Sequence, residues 1–508
     1  MTRPDGFASG APRASGVLRA TGASAPTLDY PAALAALESR GRFGINLGLS
    51  RTRALLAALG HPEREFRGAL IAGTNGKGSV LAMVGAALQA AGYRTGMTPK
   101  PHLVTYRERL QIDGRPVSRD DFARIASEVL ALADGVARRH GEPTEFEMLT
   151  AITFRWFAEV GIDLAVVEVG LGGRLDATHA WDGGVAVVTN IALDHMDRLG
   201  STVEAIAHEK AAIIMRGDLA VTGASGGPLE VIRRRSRRVG APLTIVPPAP
   251  VLATGRGGIE VELGRLGRVR VALRGGHQAA NAAVADATLD ALEAAGIASI
   301  PPEARRAGYA TVRWPGRLEL LEARGREVLL DGAHNPAGAA TLAQAVDDLA
   351  PHLAPGRPTL IVAIMADKDV DGVMDALASS TILAGARVIC TASSSGRALP
   401  PGQLAVRWSA AMARRAAAAS DTTGPEAAPA AAPETAPDPA AALDMAVGSG
   451  TGSGIGSGRS NGPVIVAGSL YLVGAVRAIL VDDPILEPDP PHSAAGAGPG
   501  SAASRPVT

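Results

Sequence analysis

The stretch Leu70-Ile-Ala-Gly-Thr-Asn-Gly-Lys-Gly-Ser79 decides the fold of the first half of the chain. Its apolar start predicts the end of a buried strand, and the alanine-rich residues 80–91 predict a helix. The glycines between them allow a tight turn and a close approach to an anion. Strand, glycine loop and helix start together form a phosphate cradle, in which backbone N–H groups and the helix dipole face the anion.

Residues 73–79, here called the phosphate loop, are expected to bind a nucleotide. Lys77 is expected to reach the terminal phosphates, and the Ser79 hydroxyl to bind Mg²⁺. The spelling differs from the common P-loop, because Gly78 separates Lys77 from Ser79. An ordinary glycine-rich turn is the alternative, which so dense a pattern disfavours. The expected nucleotide contacts are Gly73, Thr74, Asn75, Gly76, Lys77, Gly78 and Ser79.

The composition narrows the class of protein. A chain of 508 residues allows two or three domains. Lys+Arg and Asp+Glu are both 50, so no overall field for nucleic acid or a membrane is indicated. No apolar run is long enough to span a bilayer. The single cysteine, Cys390, cannot form an intrachain disulfide and is expected in a buried strand. We expect a cytoplasmic monomer.

Lysine is rare in this chain. It occurs four times, at Lys77, Lys100, Lys210 and Lys368, and arginine supplies the remaining positive charge. An ammonium group is compact and can be neutralised, whereas a guanidinium is forked and always charged. The retained lysines therefore mark candidate sites at which arginine would not serve, with chance retention as the alternative.

Polar residues follow two predicted strands. Residues 164–170 form a β-branched run that Glu168 interrupts, and a buried carboxylate is costly unless it is paired or binds a metal. An ion pair with Arg174 is one interpretation and a metal ligand the other. Asp194 and His195 follow the next strand, at the end where open α/β sheets bind ligands. Thr144 and Glu147 fit a helix capping box, with a place beside the active site as the alternative for Glu147.

The second half alternates strands and helices, which predicts a mainly parallel, Rossmann-like sheet. Residues 328–335 form a strand that leads into a polar loop, and Pro336 suits the first turn of a helix. We predict a domain at 27–305, a second at 306–485, and disorder at 1–26, 416–462 and 486–508, where low-complexity sequence cannot bury enough surface. The segment that follows residue 214, up to about residue 275, predicts a small antiparallel sheet.

Several motifs together resemble one family. They are G-T-N-G-K-G-S, P-H-L with R-E-R, V-E-V-G-L-G-G-R-L-D-A-T, D-H-x-x-x-L-G, E-K-A-x-I, H-Q-x-x-N-A and D-G-A-H-N-P. This set resembles the folylpolyglutamate and dihydrofolate synthase branch of the Mur ligase superfamily, over roughly residues 28–395 and 463–480. The family reads S-P-H-L where this chain has Lys100 before Pro101, so the resemblance does not carry over the details of pterin recognition at this position.

The resemblance implies an α/β fold: a P-loop-type ATPase domain with a mainly parallel sheet and a small antiparallel sheet, then a smaller Rossmann-like C-terminal domain. It implies ATP and two Mg²⁺ sites, with Lys210 carbamylated. The implied metal ligands are Ser79, Glu168, His195 and Lys210. The implied catalytic residues are Lys77, Lys210 and His334. The implied contacts to nucleotide and pterin are Gln278 and Asn281 at the adenine, Arg317 and Asp331 from the second domain, and Pro101, His102 and Arg107 at the pterin.

The implied reaction activates a carboxylate as an acyl phosphate, which the amine of L-glutamate then attacks. The carboxylate belongs to dihydropteroate or to the last γ-glutamyl group of a folate. Two alternatives remain at this point: a Mur-type ligase for another acid, and a nucleotide-binding module without turnover.

Overall fold

A computed structural model describes residues 27–43, 47–393, 397–420, 431–448 and 462–489. The predicted tail at 1–26 lies outside the described residues. The described chain forms two α/β units, each built on its own sheet. Within the described residues, no helix is both long and apolar enough to cross a membrane.

The first unit is built on a sheet that carries the phosphate loop. Its strands are β1 (Arg67–Ala72), β2 (Thr95–Thr98), β3 (Gln111–Ile112), β4 (Arg115–Pro116), β5 (Leu164–Glu168), β6 (Gly184–Val188), β7 (Leu219–Thr222) and β8 (Leu243–Ile245). They lie in the order β4-β3-β2-β5-β1-β6-β7-β8, parallel from β2 to β8. Because β1 lies between β5 and β6, the loops that follow these three strands meet at one edge of the sheet.

Helices cover both faces of this sheet. They are α1 (Tyr30–Ser39), α2 (Ser50–Ala58), α3 (Lys77–Ala90), α4 (Arg119–His140), α5 (Glu145–Val160), α6 (Met196–Leu199), α7 (Val203–Ala211), α8 (Gly226–Val239), α9 (Gln278–Ala294) and α10 (Pro302–Thr311). Alternate strand residues point to opposite faces. Leu70 therefore lies in the core that α1, α2, α4 and α5 line, whereas Ile71 lies in the core that α3, α9 and α10 line.

The predicted small antiparallel sheet is present. It consists of β9 (Val251–Gly255), β10 (Gly258–Leu263) and β11 (Gly267–Val271). The prediction was wrong for the earlier part of the same segment, because β7 and β8 extend the parallel sheet instead. Helix α8 connects these two strands, as parallel pairing requires a crossover.

The second unit has the predicted Rossmann-like sheet. Its strands are β12 (Glu319–Ala323), β13 (Arg326–Leu330), β14 (Thr359–Val362), β15 (Arg387–Cys390), β16 (Glu434–Thr435) and β17 (Val464–Ala467). They lie in the order β12-β13-β17-β14-β15-β16, and β12 alone of these six is antiparallel to its neighbour. Its helices are α11 (Pro336–Leu349), α12 (Val370–Ala378), α13 (Thr381–Ala384), α14 (Pro401–Ser420), α15 (Pro439–Val447) and α16 (Leu470–Leu480). Cys390 is buried in β15, as expected.

Three stretches differ from the expected domain limits. The expected limit after residue 305 falls inside α10, whose Tyr309 is buried in the core of the first unit. Inside the segment 416–462, predicted to be disordered, residues 416–420 end α14 and residues 434–447 form β16 and α15, so the prediction was wrong there. Asp438 caps α15, and Leu443 is buried against the sheet. Residues 421–430 and 449–461 lie outside the described residues. Residues 486–489 pack on the first unit, so the predicted tail starts too early.

Candidate active site

The phosphate loop joins β1 to α3, as the sequence predicts. The helix begins at Lys77, three residues before the expected start, so Lys77 and Ser79 lie in its first turn. Gly76 precedes the helix in the left-handed region, with φ of 81°. A Cβ at this position would overlap the Asn281 side chain, so the loop needs glycine here both for its backbone and for space.

The ammonium group of Lys77 lies over this loop. Its Nζ donates to Gly73 O at 3.1 Å and to Thr74 O at 3.0 Å, and lies 3.9 Å from Glu168 Oε1. The lysine thus stands between the helix N-terminus and the carboxylate at the end of β5. A cation in this position adds to the positive end of the helix dipole.

Glu168 is a buried carboxylate with cationic neighbours. Its Oε2 accepts a hydrogen bond from Lys100 N at 3.0 Å, and Lys100 Nζ donates to Glu168 O at 2.7 Å. Burial raises the pKa of Glu168, and the charges of Lys77 and Lys100 oppose that rise. Arg174 pairs with Glu209 at 2.9 Å. The alternative of a Glu168–Arg174 ion pair is therefore wrong.

Lys210 and His195 complete this side of the site. Lys210 Nζ donates to Gly73 O at 2.9 Å, and burial together with the charge of Lys77 lowers the pKa of Lys210 to about 7. His195 stands in the left-handed region directly after Asp194, and its Nε2 is 3.9 Å from Asp194 Oδ2. Burial lowers the pKa of His195, which favours the neutral imidazole that a metal requires.

Two amides on α9 support the phosphate loop from behind. Gln278 Nε2 donates to Ser79 Oγ at 3.3 Å, and Asn281 Nδ2 donates to Gln278 Oε1 at 2.8 Å. Their spacing of three residues places them on one helix face, as expected. In the structure they contact the loop, and their contact with an adenine stays a prediction.

The second unit contributes side chains to the same edge. Asp331 accepts hydrogen bonds from Leu318 N at 3.0 Å and Ala333 N at 2.9 Å, and burial raises its pKa. His334 Nδ1 lies 2.8 Å from Gly332 O, and burial lowers the pKa of His334 to about 4. Its imidazole is therefore neutral at pH 7.

Three hydrogen bonds that sequence reasoning missed join the units. Lys368 Nζ donates to Asp194 Oδ1 at 3.1 Å. Asn335 Nδ2 donates to Asp194 Oδ2 and to Asn75 Oδ1, both at 3.2 Å. The second unit thus holds both oxygens of a carboxylate next to His195. The sequence feature that pointed to these contacts is the retained lysine at position 368.

Residues 99–110, here called the Pro101 loop, form another wall of the site. Pro101 and Arg109 line the cavity. Arg109 Nε donates to His102 Nδ1 at 2.9 Å, and burial lowers the pKa of His102 to about 3. Arg107 donates to Val117 O at 3.0 Å and to Ile485 O at 2.7 Å, away from the cavity wall.

One cavity of about 550 Å³ joins these groups. Of the predicted site residues, those outside its wall are Gln278, His102 and Arg107. Those in its wall are Gly73, Thr74, Asn75, Gly76, Lys77, Gly78, Ser79, Pro101, Glu168, His195, Lys210, Asn281, Arg317, Asp331 and His334. Both units therefore supply predicted residues to a single site.

Comparison with known proteins gives matches over both units. The Mur ligase middle domain matches residues 71–223, and the dihydrofolate synthetase C-terminal domain matches residues 317–479. A dihydrofolate synthase/folylpolyglutamate synthase of Bacillus subtilis is 36% identical over 349 residues, 67% of this chain and 80% of the relative. That of Mycobacterium tuberculosis is 35% identical over 466 residues, 87% of this chain and 91% of the relative. The chain belongs to the dihydrofolate synthase/folylpolyglutamate synthase family.

Solved structures of such synthases share the fold. The Mycobacterium tuberculosis folylpolyglutamate synthase complexed with ADP and AMPPCP has a TM-score of 0.76 at 32% identity, over 89% of this chain and all of that one. An Escherichia coli relative in complex with DHPP and ADP has a TM-score of 0.73 at 28% identity, over 90% of this chain and 99% of that one. A bifunctional synthase with Mn, AMPPNP and L-glutamate bound has a TM-score of 0.70 at 28% identity, over 89% and 98%.

The donor set of this synthase-family chain fits a divalent cation. Among the described residues no group of three His, Cys, Asp or Glu side chains is placed to hold a metal. The candidate set instead combines the Ser79 hydroxyl, the Glu168 carboxylate and the His195 imidazole with Lys210, all in one cavity wall. Hydroxyl and carboxylate oxygens suit Mg²⁺, and Lys210 can join them only when its amine is neutral or modified.

Lys100 and Glu147 also lie in the cavity wall, so Glu147 both caps a helix and stands beside the site. Lys100 lines the cavity, its Nζ lies 4.5 Å from the centre of the Phe146 ring, and burial lowers the pKa of Lys100 to about 8. Glu147 caps α5 by accepting from Thr144 N at 2.8 Å, which confirms the capping box. It also pairs with Arg51 at 2.9 Å.

Proposed function

We propose that this chain is an ATP-dependent ligase that joins L-glutamate to dihydropteroate and to the γ-carboxylate of a folate, through an acyl phosphate. One observation carries the proposal: the phosphate loop and Glu168 of the first unit share a cavity with Arg317 and His334 of the second. Relatives named for both activities, and structures of relatives with ADP, DHPP or L-glutamate bound, support the choice of substrates.

The phosphate loop would bind and activate ATP. The N–H groups at the start of α3 and the Lys77 ammonium would hold the terminal phosphates, leaving little covalent chemistry to the protein. An oxygen of the acceptor carboxylate attacks the γ-phosphorus and ADP leaves, which forms the acyl phosphate. The neutral amine of glutamate then attacks the acyl carbon. Inorganic phosphate leaves, the nitrogen loses a proton, and an amide bond remains.

Ser79, Glu168, His195 and Lys210 would hold Mg²⁺ at two sites. When bound, the ions would neutralise charge on the transferred phosphoryl group. Lys210 would serve as a carbamate, formed when its neutral amine adds to CO₂ and loses a proton. Its lowered pKa of about 7 supports this, because much of the amine is neutral at physiological pH.

The second unit would close the site over the nucleotide. Arg317 adds a cation to the cavity wall, Asp331 is held by two backbone N–H groups, and His334 is neutral. Gln278 and Asn281 would lie on the adenine side. Closure excludes water, which would otherwise hydrolyse an acyl phosphate. We propose that Pro101 contacts the pterin. His102 and Arg107 would act on pterin binding indirectly, by shaping the loop that contains them.

The test is phosphate release with ATP, Mg²⁺ and L-glutamate, with dihydropteroate or tetrahydrofolate in separate tubes. Release with dihydropteroate identifies dihydrofolate synthase activity, and release with tetrahydrofolate identifies polyglutamylation. Release with both identifies a bifunctional enzyme. Silence with both acceptors, with nucleotide still bound, overturns the proposal in favour of another acid or of a module without turnover. We further propose that the protein is a monomer and lies in the cytoplasm. Light scattering of the purified protein tests the first point, and cell fractionation tests the second.

A further inference from the structure

The described chain ends in a segment that crosses back from the second unit to the first. Residues 482–489, here called the strap, follow α16. At the end of the strap, the Asp489 carboxylate accepts three hydrogen bonds. The donors are Tyr30 OH at 2.6 Å, Thr105 Oγ1 at 2.8 Å and Tyr106 N at 2.6 Å. All three belong to the first unit, and two of them to the Pro101 loop.

Two further polar contacts lie along the rest of the strap. Arg107 of the Pro101 loop donates to Ile485 O at 2.7 Å, and Arg119 pairs with Glu487 at 3.0 Å. The Ile485 side chain is 46% exposed, so the strap buries little apolar surface at this point. Directional hydrogen bonds therefore carry much of the attachment, and the Asp489 carboxylate makes three of them.

The Pro101 loop connects these contacts to the cavity. Arg109 stacks 4.4 Å from the Tyr106 ring and lies 3.8 Å from Glu145, and its side chain lines the cavity together with Pro101. Residues 105–107, which the strap holds, are thus separated from the cavity-lining Arg109 by a single residue, Glu108. On its other side the loop contacts α16, where a Cβ at Gly474 would overlap Leu103 O.

We infer that Asp489 is a positioning residue for the carboxylate acceptor, which rests on the proposed function. By holding Thr105 and Tyr106, it sets where Arg109 and Pro101 stand in the wall. Because the strap continues from α16 of the second unit, acceptor binding depends on the position of that unit. None of the strap contacts described above reaches the phosphate loop, so we expect ATP binding to be independent of Asp489.

The test uses the full chain with Asp489→Asn and Asp489→Ala. The asparagine variant keeps the shape but turns an N–H donor toward one of the three donors now bonded to the carboxylate. We expect the KM for the acceptor to rise about tenfold in both, while kcat and the KM for ATP stay within twofold. Glu487→Gln is the matched control, since it removes a charge from the same strap at a more exposed pair, and its acceptor KM should stay within twofold.

A second readout does not need turnover. The dissociation constant of dihydropteroate, measured by calorimetry with a non-hydrolysable ATP analogue present, should rise in parallel with the acceptor KM. Folded Asp489 variants with unchanged acceptor KM and dissociation constant overturn this inference, as does an equal rise in the KM for ATP. A wild-type chain silent with every acceptor overturns the proposed function instead, so the two failures are distinguishable.

Discussion

The phosphate loop and the Pro101 loop form two walls of one cavity, but they are held in different ways. The phosphate loop is held by its own helix and by the neighbouring β6 loop: Lys77 bonds to Gly73 O, and Asn75 N donates to Asn190 Oδ1 at 2.8 Å. The Pro101 loop has a local brace in Glu108, but it is also held from the far end of the chain, through Asp489 and Ile485.

This difference explains why the sequence predicts the contacts of the phosphate loop better than those of the Pro101 loop. The backbone of the phosphate loop takes its turn from its own glycines and from the start of α3, so its signature lies in one continuous stretch, residues 70–79. For a loop that remote partners also hold, the sequence gives the residue types but not where their side chains point. Arg107 looks like a ligand-binding arginine in sequence, yet it donates to two backbone carbonyls.

The largest expected effect is at the phosphate loop. Lys77→Ala removes the ammonium group between the helix start and Glu168, so we expect kcat to fall about 100- to 1,000-fold, as for other groups that stabilise developing charge. Phosphate release measures this, with the thermal midpoint as a control for folding. A folded variant with kcat within tenfold of wild type would contradict the role given to Lys77.

The amine of Lys210 gives the next largest effect, as a dependence of stability on pH. Burial, together with the charge of Lys77, lowers its pKa from 10.5 to about 7. Between these values the unfolded chain holds more protons than the native one, so this contribution is fully present above about pH 10.5 and is lost as pH falls toward 7. The slope is at most about 1.4 kcal/mol per pH unit.

Urea unfolding at pH 7, 8 and 9, without metal and in CO₂-free buffer, measures that slope. Lys210→Met removes the titrating group, so its stability should rise less steeply with pH than that of wild type. Parallel curves of stability against pH for the two proteins would show that Lys210 has the same pKa in the folded and the unfolded chain.

A smaller effect is expected for Gly76→Ala, which tests the shape of the phosphate loop rather than its charge. The substitution imposes a left-handed backbone on alanine and overlaps Asn281. Gly92→Ala is the matched control, because Gly92 has φ of 90° but no atom within 4 Å of the added Cβ. Both should lose about 1–2 kcal/mol from the backbone.

Gly76→Ala alone should also weaken nucleotide binding, by about tenfold, because the loop must shift. Titration with ADP, alongside the free energy of unfolding, separates the two effects. Equal affinity in the two alanine variants would show that the Asn281 contact is not needed to shape the loop.

The smallest effect is expected at the Pro101 loop, where Glu108 is the local brace. Its carboxylate accepts from Leu103 N at 3.1 Å, Val104 N at 2.7 Å and Thr105 N at 2.8 Å. Glu108→Gln removes the charge but keeps one oxygen, so the acceptor KM should rise about fivefold, equivalent to about 1 kcal/mol. The KM for ATP should not change.

Glu128→Gln on α4 is the control for this substitution, because its partner Arg155 is not in the cavity wall. If the KM for ATP changed with Glu108→Gln, the two walls would be coupled more closely than their separate contacts indicate.

The sequence predicts those parts of the fold and site whose causes are local. The phosphate loop, the capping box of Thr144 and Glu147, and Pro336 in the first turn of α11 all depend on neighbours a few residues apart. Glu168 was singled out for a similar reason, since a carboxylate in an apolar strand needs a partner. Its cationic neighbours proved to be Lys77 and Lys100.

The remainder depends on contacts between distant residues. The residues next to Asp194 in the sequence do not indicate that Lys368 and Asn335 bind it. Those next to Tyr106 do not indicate its hydrogen bond with Asp489. Helix α15 was missed for another reason: an Ala/Pro composition hides the N-cap Asp438, followed directly by a proline, and the apolar face that contains Leu443.

The convergence of the lysines has a consequence for chemical labelling. Lys77, Lys100 and Lys210 line the cavity, and Lys368 bonds to Asp194 in its wall. Apart from the chain's amino terminus, an amine-directed acylating reagent therefore meets only this site. Burial lowers the pKa of Lys100 to about 8, so more of this amine is neutral, and able to attack an ester, near pH 7 than that of an ordinary lysine. A reactive ester on a ligand-like scaffold would thus be a covalent inhibitor with few competing targets on this surface.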